Sequence, residues 1–75
     1  MHFIEITGKQ LTKIVSDDEI SVSDLHRAGV NDETVVRINE QGDIEIRRPD
    51  RWDVIGGLLG NFEERIKKAT GVTWA

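Results

Sequence analysis

Residues 34–48 read TVVRINEQGDIEIRR, and this stretch predicts a β-hairpin from which the rest of the fold can be worked out. Apolar and polar residues alternate in Thr34–Asn39 and again in Asp43–Arg48, as expected for two strands that bury one face. The turn Glu40-Gln41-Gly42 joins the strands, and Pro49 ends the second because proline cannot donate a ladder hydrogen bond. The side chains expected to share the buried face are Val36, Ile38, Ile44 and Ile46.

The segment before this hairpin predicts another hairpin and a short helix. Phe3–Thr7 and Leu11–Val15 are alternating or β-branched runs on either side of a glycine-containing turn, which favours two paired strands. Ser21 or Ser23 is suited to cap a short helix, because a serine oxygen accepts a hydrogen bond from a free N–H of the first turn. Gly29 lies where a left-handed C-cap is expected to end that helix.

Residues 50–71 predict a long amphipathic helix, because apolar residues recur there at spacings of three and four. Gly56, Gly57 and Gly60 are unfavourable inside a helix, each by about 1 kcal/mol relative to alanine. They make sense if another backbone packs closely, or if the helix forms only against a partner. We therefore predict a partner-binding surface in the C-terminal segment, made of Trp52, Ile55, Leu59, Phe62, Ile66 and Trp74. The alternative is that these side chains complete the core of so small a fold.

Together these elements predict a small α+β fold of the order ββαββα, within a single domain of residues 1–75. Two hairpins and the short helix would occupy residues 1–48, and the terminal helix residues 50–71. A chain of 75 residues without cysteine has neither disulfides nor thiolate metal sites to stabilise it. We therefore expect a homodimer or binding to another protein. The sequence lacks a signal-peptide pattern and its longest uncharged run is too short to span a membrane, so a cytoplasmic location is expected.

The sequence is acidic, with a net charge of −4 that is concentrated in residues 16–33. This charge argues against broad nonspecific binding to nucleic acid, where neutralisation of phosphates dominates affinity. It leaves open DNA binding by one basic face of a dimer.

Two parts of the sequence resemble the AbrB/MazE-type swapped-hairpin proteins. The first is the helical segment Ile20–Val30, which ends in Leu-His-Arg-Ala-Gly-Val, and the second is the strand pair of Thr34–Arg48. Thr7–Thr12 is similar to the Lys-Gly-Gln-containing first hairpin of that family, so the resemblance covers about residues 4–48. The resemblance implies an intertwined dimer that contacts DNA through its N-terminal strands, and a C-terminal segment, here residues 51–75, that wraps a toxin partner. The DNA-facing residues that it implies are Lys9, Gln10 and Lys13. For a DNA-binding dimer of this kind, the phosphate contacts would come from Lys9, Lys13, Arg37, Arg47 and Arg48.

The sequence carries no recognisable catalytic motif, and we expect neither enzymatic activity nor a metal or cofactor. His2 and His26 are far apart, whereas a metal site needs three or four converging ligands. Three classes of function remain. The first is a non-enzymatic protein-binding module that uses the terminal helix, within an antitoxin-like protein or outside one. The second is a DNA-binding dimer. The third is a structural small subunit, or an inhibitor of a larger assembly, whose terminal helix only completes its own core.

Overall fold

The computed structural model describes residues 2–74, which form a four-stranded antiparallel sheet with helices packed against one face. The strands β1 (Ile4–Thr7), β2 (Val35–Ile38), β3 (Asp43–Arg47) and β4 (Trp52–Gly57) lie side by side in chain order. The helices are α1 (Gly8–Ile14), α2 (Val22–Arg27) and α3 (Phe62–Thr70). The predicted α+β class, with a C-terminal helix, is confirmed.

The central hairpin forms as its alternation predicts, with Val36 opposite Ile46 and Ile38 opposite Ile44. These four side chains are buried beneath the helices. In the turn, the Asn39 side-chain oxygen accepts hydrogen bonds from the backbone N–H groups of Gln41 and Asp43. Gly42 has a φ of +88°, a left-handed conformation that favours glycine.

The predicted strand Leu11–Val15 was wrong, because these residues belong to α1 and to its C-terminal cap. A capping box begins the helix: the Thr7 hydroxyl accepts from the Gln10 N–H at 3.2 Å, and the Gln10 side chain accepts from the Thr7 N–H at 2.9 Å. Leu11 and Ile14 are buried, at the spacing of one helical turn. The predicted first hairpin therefore does not form, and β1 pairs with β2.

The helix predicted over residues 50–71 was also wrong in its first half, since Trp52–Gly57 is the strand β4 and the helix begins only at Phe62. β4 pairs with β3 through a turn closed by the Arg48 N–H, which donates to the Arg51 carbonyl at 2.7 Å. Asn61 is the N-cap residue of this helix, and its side chain makes no capping hydrogen bond. Its predicted end is confirmed, because Gly71 is the left-handed C-cap.

The short helix α2 forms as predicted, with the Ser21 hydroxyl accepting a hydrogen bond from the Asp24 N–H at 3.1 Å. Gly29 follows the C-cap residue Ala28 and has a φ of +94°. The helices and their connections cover one face of the sheet with a single apolar cluster, to which Leu11, Leu25 and Ile66 contribute fully buried side chains. The other face of the sheet carries no helix in the described part of the chain.

Candidate functional site: the outer face of the sheet

The candidate functional site is the face of the sheet that points away from the helices, here called the outer face. Because side chains alternate along a strand, this face carries every second residue of each strand. Two apolar residues stand exposed on it, Val35 with 53 % and Val54 with 55 % of its surface accessible. The outer face consists of Phe3, Glu5, Thr7, Val35, Arg37, Asp43, Glu45, Arg47, Trp52 and Val54.

Arg37 occupies the middle of the outer face, between two aromatic rings. Its guanidinium carbon lies 4.0 Å from the centroid of the Phe3 ring and 4.0 Å from that of the Trp52 ring. Its Nε donates to a carboxylate oxygen of Glu45 at 2.7 Å, and the other oxygen of Glu45 accepts from the Asn39 amide at 3.0 Å. Stacking and ion pairing of this kind fix a guanidinium that would otherwise be mobile. Both rings are therefore held in place over the strands.

Two charged side chains at the outer face remain outside this network. Glu5 lies in register with Arg37, but Arg37 forms its ion pair with Glu45 instead. Arg47 lies in register with Trp52 at the end of β3. Both Glu5 and Arg47 are exposed, and neither forms an ion pair within residues 2–74.

The predicted partner-binding residues do not form one surface. Ile66 is fully buried in the core, and Phe62 and Trp74 are partly buried against it, with their rings edge to face at 6.2 Å between centroids. Ile55 also packs partly against the core, and Leu59 is exposed in the loop before α3. Trp52 alone of the predicted six belongs to the outer face. The apolar side of α3 therefore contacts the chain's own core.

The predicted DNA-binding residues are likewise divided between different surfaces. Lys9 and Lys13 lie exposed on α1, while Arg47 points to the opposite side of the sheet. The side chain of Gln10 is used in the capping box. Arg48 donates from its Nε to Asp53 at 3.0 Å. Together with the enclosed Arg37, these positions do not form one basic face.

A second feature is an open cleft of about 310 Å³, lined by His2, Glu40, Glu63 and Trp74. Its carboxylates already accept hydrogen bonds, that of Glu40 from the His2 backbone N–H at 3.3 Å and that of Glu63 from the Trp74 indole at 2.8 Å. Across residues 2–74, no group of three or more His, Asp or Glu side chains is placed to hold a metal ion.

Sequence reasoning missed a bidentate ion pair between Glu19 and Arg65. The two Arg65 Nη atoms lie 2.8 and 2.6 Å from the two Glu19 carboxylate oxygens. Glu19 also accepts from the backbone N–H groups of Leu59 at 2.6 Å and Ser16 at 2.9 Å. The hydrogen bonds from Arg65 lower the pKa of Glu19 from 4.5 to about 2, and the backbone N–H of Leu59 adds to this effect.

The Glu19–Arg65 pair has a structural role. Arg65 donates further hydrogen bonds to the backbone carbonyls of Ile14 at 3.0 Å and Leu59 at 3.1 Å. It therefore joins the end of α1 and the loop that follows β4 to α3. The only local sequence signal for the position of the Glu19 side chain is its spacing of three residues from Ser16. The Glu19 carboxylate accepts a hydrogen bond from the Ser16 N–H, as the acidic residue of a capping box does. The partner Arg65, 46 residues away, has no such signal.

Comparison with protein-family models, with curated proteins and with solved structures gives no match to this chain. The resemblance to AbrB/MazE-type proteins, the DNA contacts that it implies and the cytoplasmic location therefore stay predictions. Within the described range, every helix is too short or too polar to cross a lipid bilayer.

Proposed function

We propose that this chain is a small non-enzymatic protein-binding module that binds its partner through the outer face of the sheet. The observation that carries the proposal is the exposure of Val35 and Val54 beside aromatic rings that Arg37 already holds in place. Rigid aromatic and arginine side chains are the residues that contribute most to protein interfaces, because little conformational freedom is lost when they are covered.

The charges at this face define the chemistry of the partner. Exposed Glu5 and Arg47 favour a protein surface that offers one cation and one carboxylate beside apolar side chains. Charge complementarity of this kind fixes the orientation of a complex more than it adds to affinity. The third predicted class, a structural subunit or an inhibitor of a larger assembly, would use the same surface.

The structural support for this surface is stronger than the support for the terminal helix. Docking through the apolar side of α3 would require Ile66 to leave the core, where it is fully buried. Removing a side chain of this size from a core costs about 2–5 kcal/mol. The outer face needs no such rearrangement.

We expect a photoreactive amino acid at position 54 to crosslink the protein to its partner in the source cell. The same group at position 69, an exposed alanine on α3, serves as the matched control and is expected to give little product. Val35→Lys should reduce the yield from position 54, because it places a charge in the apolar part of the contact without disturbing the core. Mass spectrometry identifies the crosslinked protein. Equal yields from positions 54 and 69, or a yield that Val35→Lys leaves unchanged, would contradict the proposal.

DNA binding through α1 is a second candidate function, favoured by Lys9 and Lys13, which are exposed one helical turn apart. We expect any such binding to weaken steeply with added salt, since released counterions drive association with phosphates. The double variant Lys9→Glu/Lys13→Glu should abolish retardation of DNA from upstream of its own gene while keeping the melting temperature of the parent. Retardation that survives the double variant would exclude α1 as the contact.

A further inference from the structure

Two charged residues of the outer face, Glu5 and Arg47, form no ion pair within residues 2–74. Glu5 lies on β1 and Arg47 on β3, with β2 between them. Their register positions differ by two residues along the strands, since Glu5 is level with Arg37 and Glu45. With neighbouring strands about 4.8 Å apart and a rise of about 3.4 Å per residue, their Cα atoms are separated by about 12 Å. Both side chains are exposed, so each is free to pair with an opposite charge on another molecule.

Glu5 and Arg47 lie on the two strands that flank β2, two residues apart in register. A two-fold axis that is parallel to the sheet and crosses β2 obliquely, between Val35 and Arg37, exchanges their positions when a second copy is placed face to face with the first. Each Glu5 then meets the Arg47 of the other copy, and both contacts form together, as in any isologous dimer. In a flat sheet the same rotation brings Trp52 of one copy close to Phe3 of the other, and covers the exposed Val35 in both.

We infer that the partner of the outer face is a second copy of this chain, joined by reciprocal Glu5–Arg47 contacts. This inference rests on the proposed function and names its partner. Each exposed charge at this face has its complement at the same face, so a second copy supplies both the carboxylate and the cation. The acidic segment of residues 16–33 does not oppose the contact, because it contributes Ile20, Leu25 and Val30 to the core on the other side of the sheet.

Charge reversal tests the inference by sedimentation equilibrium over a range of protein concentrations. Glu5→Arg places an arginine opposite Arg47 at both contacts, and Arg47→Glu places two carboxylates together at both. Each single variant is expected to raise the dimer dissociation constant at least about tenfold, because attraction becomes repulsion twice. The double variant Glu5→Arg/Arg47→Glu should return the constant to within about threefold of the parent, since the pairing is restored with its signs exchanged.

Mixing the two single variants gives the sharpest result. In a heterodimer of Glu5→Arg with Arg47→Glu, one contact joins two introduced charges and the other joins two native charges, and both are attractive. We therefore expect the mixture to form dimers at concentrations at which each variant alone is monomeric. Glu33→Arg and Lys9→Glu make the same changes of charge at exposed sites away from the outer face, and should dimerise like the parent.

The outcomes separate this inference from the proposed function. A parent protein that stays monomeric at millimolar concentration overturns the inference, and crosslinking of position 54 to a different protein would then still support the proposed function. A parent that dimerises, but whose single variants dimerise equally well or fail to form the heterodimer, also overturns the Glu5–Arg47 pairing. Circular dichroism melts of each variant establish that the fold is retained.

Discussion

Gly8→Ala is expected to cost at least about 3 kcal/mol of unfolding free energy, a large share of the roughly 5–15 kcal/mol typical of whole domains. An added Cβ at Gly8 would lie 1.9 Å from the Asn31 carbonyl oxygen and 2.8 Å from a methyl group of Val30. The backbone cannot shift to relieve this overlap without breaking the hydrogen bond from the Gly8 N–H to the Thr34 carbonyl, at 2.8 Å. Urea unfolding followed by circular dichroism measures the loss.

Gly57→Ala is the matched control for this prediction. A Cβ at Gly57 would meet its nearest atoms at 3.9 and 4.0 Å, which is ordinary van der Waals contact. We expect its unfolding free energy to stay within about 1 kcal/mol of the parent, with any change toward greater stability because alanine loses less backbone freedom in a strand. Equal stability of the Gly8→Ala and Gly57→Ala proteins would show that α1 does not begin against the Val30–Asn31 turn.

The central hairpin and the helix caps were predictable because their signals are local. Apolar and polar residues alternate over residues 34–48, and a glycine lies in the turn. Only one strand register then buries Val36, Ile38, Ile44 and Ile46 on the same face. Ser21 and Gly29 act through the hydrogen bonds and φ angles of their own helix ends. Such features need no information from distant parts of the chain.

The segment Leu11–Val15 could not be assigned locally, because its apolar residues suit either a strand or one side of a helix. Long-range packing decides between them, since β1 finds its partner in β2 and Gly8 fits closely against Asn31. The segment Trp52–Gly57 is similar, with apolar spacings of three that suggested a helix. Its glycines argued against a helix, because each glycine makes a helix less stable by about 1 kcal/mol than alanine would.

The outer face itself depends on the order of the strands. Phe3, Arg37 and Trp52 come together only because β1 and β4 lie on the two sides of the central hairpin. With β4 assigned to a helix, Trp52 was grouped with Phe62 and Ile66, which the fold places in or against the core. The sequence pattern thus placed Trp52 in the wrong element and on a different surface from the one on which it lies.

Glu19→Gln is expected to destabilise the protein by about 3 kcal/mol, the lower end of the range for breaking a buried ion pair. The Glu19 side chain is only 2 % exposed, whereas that of Arg65 is 36 % exposed and keeps some contact with water. The glutamine retains one oxygen acceptor but leaves the Arg65 charge without its carboxylate. Asp18→Asn, an exposed neighbour that loses the same charge, should change the unfolding free energy by less than about 0.5 kcal/mol.

The destabilisation by Glu19→Gln should itself depend on pH, because the fold favours the ionised carboxylate. The pKa of Glu19 falls from 4.5 to about 2 in the folded protein, and a difference of this size corresponds to about 3 kcal/mol of stability. Since the folded pKa is the lower one, this stability is present above the unfolded pKa of 4.5 and is lost as the pH falls toward about 2. Protonated glutamate resembles glutamine, so the parent and the variant should converge, with under about a third of their difference remaining at pH 2.5. Urea unfolding of both proteins between pH 6 and pH 2.5 measures the convergence. A difference that stayed constant over this range would mean that the carboxylate charge of Glu19 does not stabilise the fold.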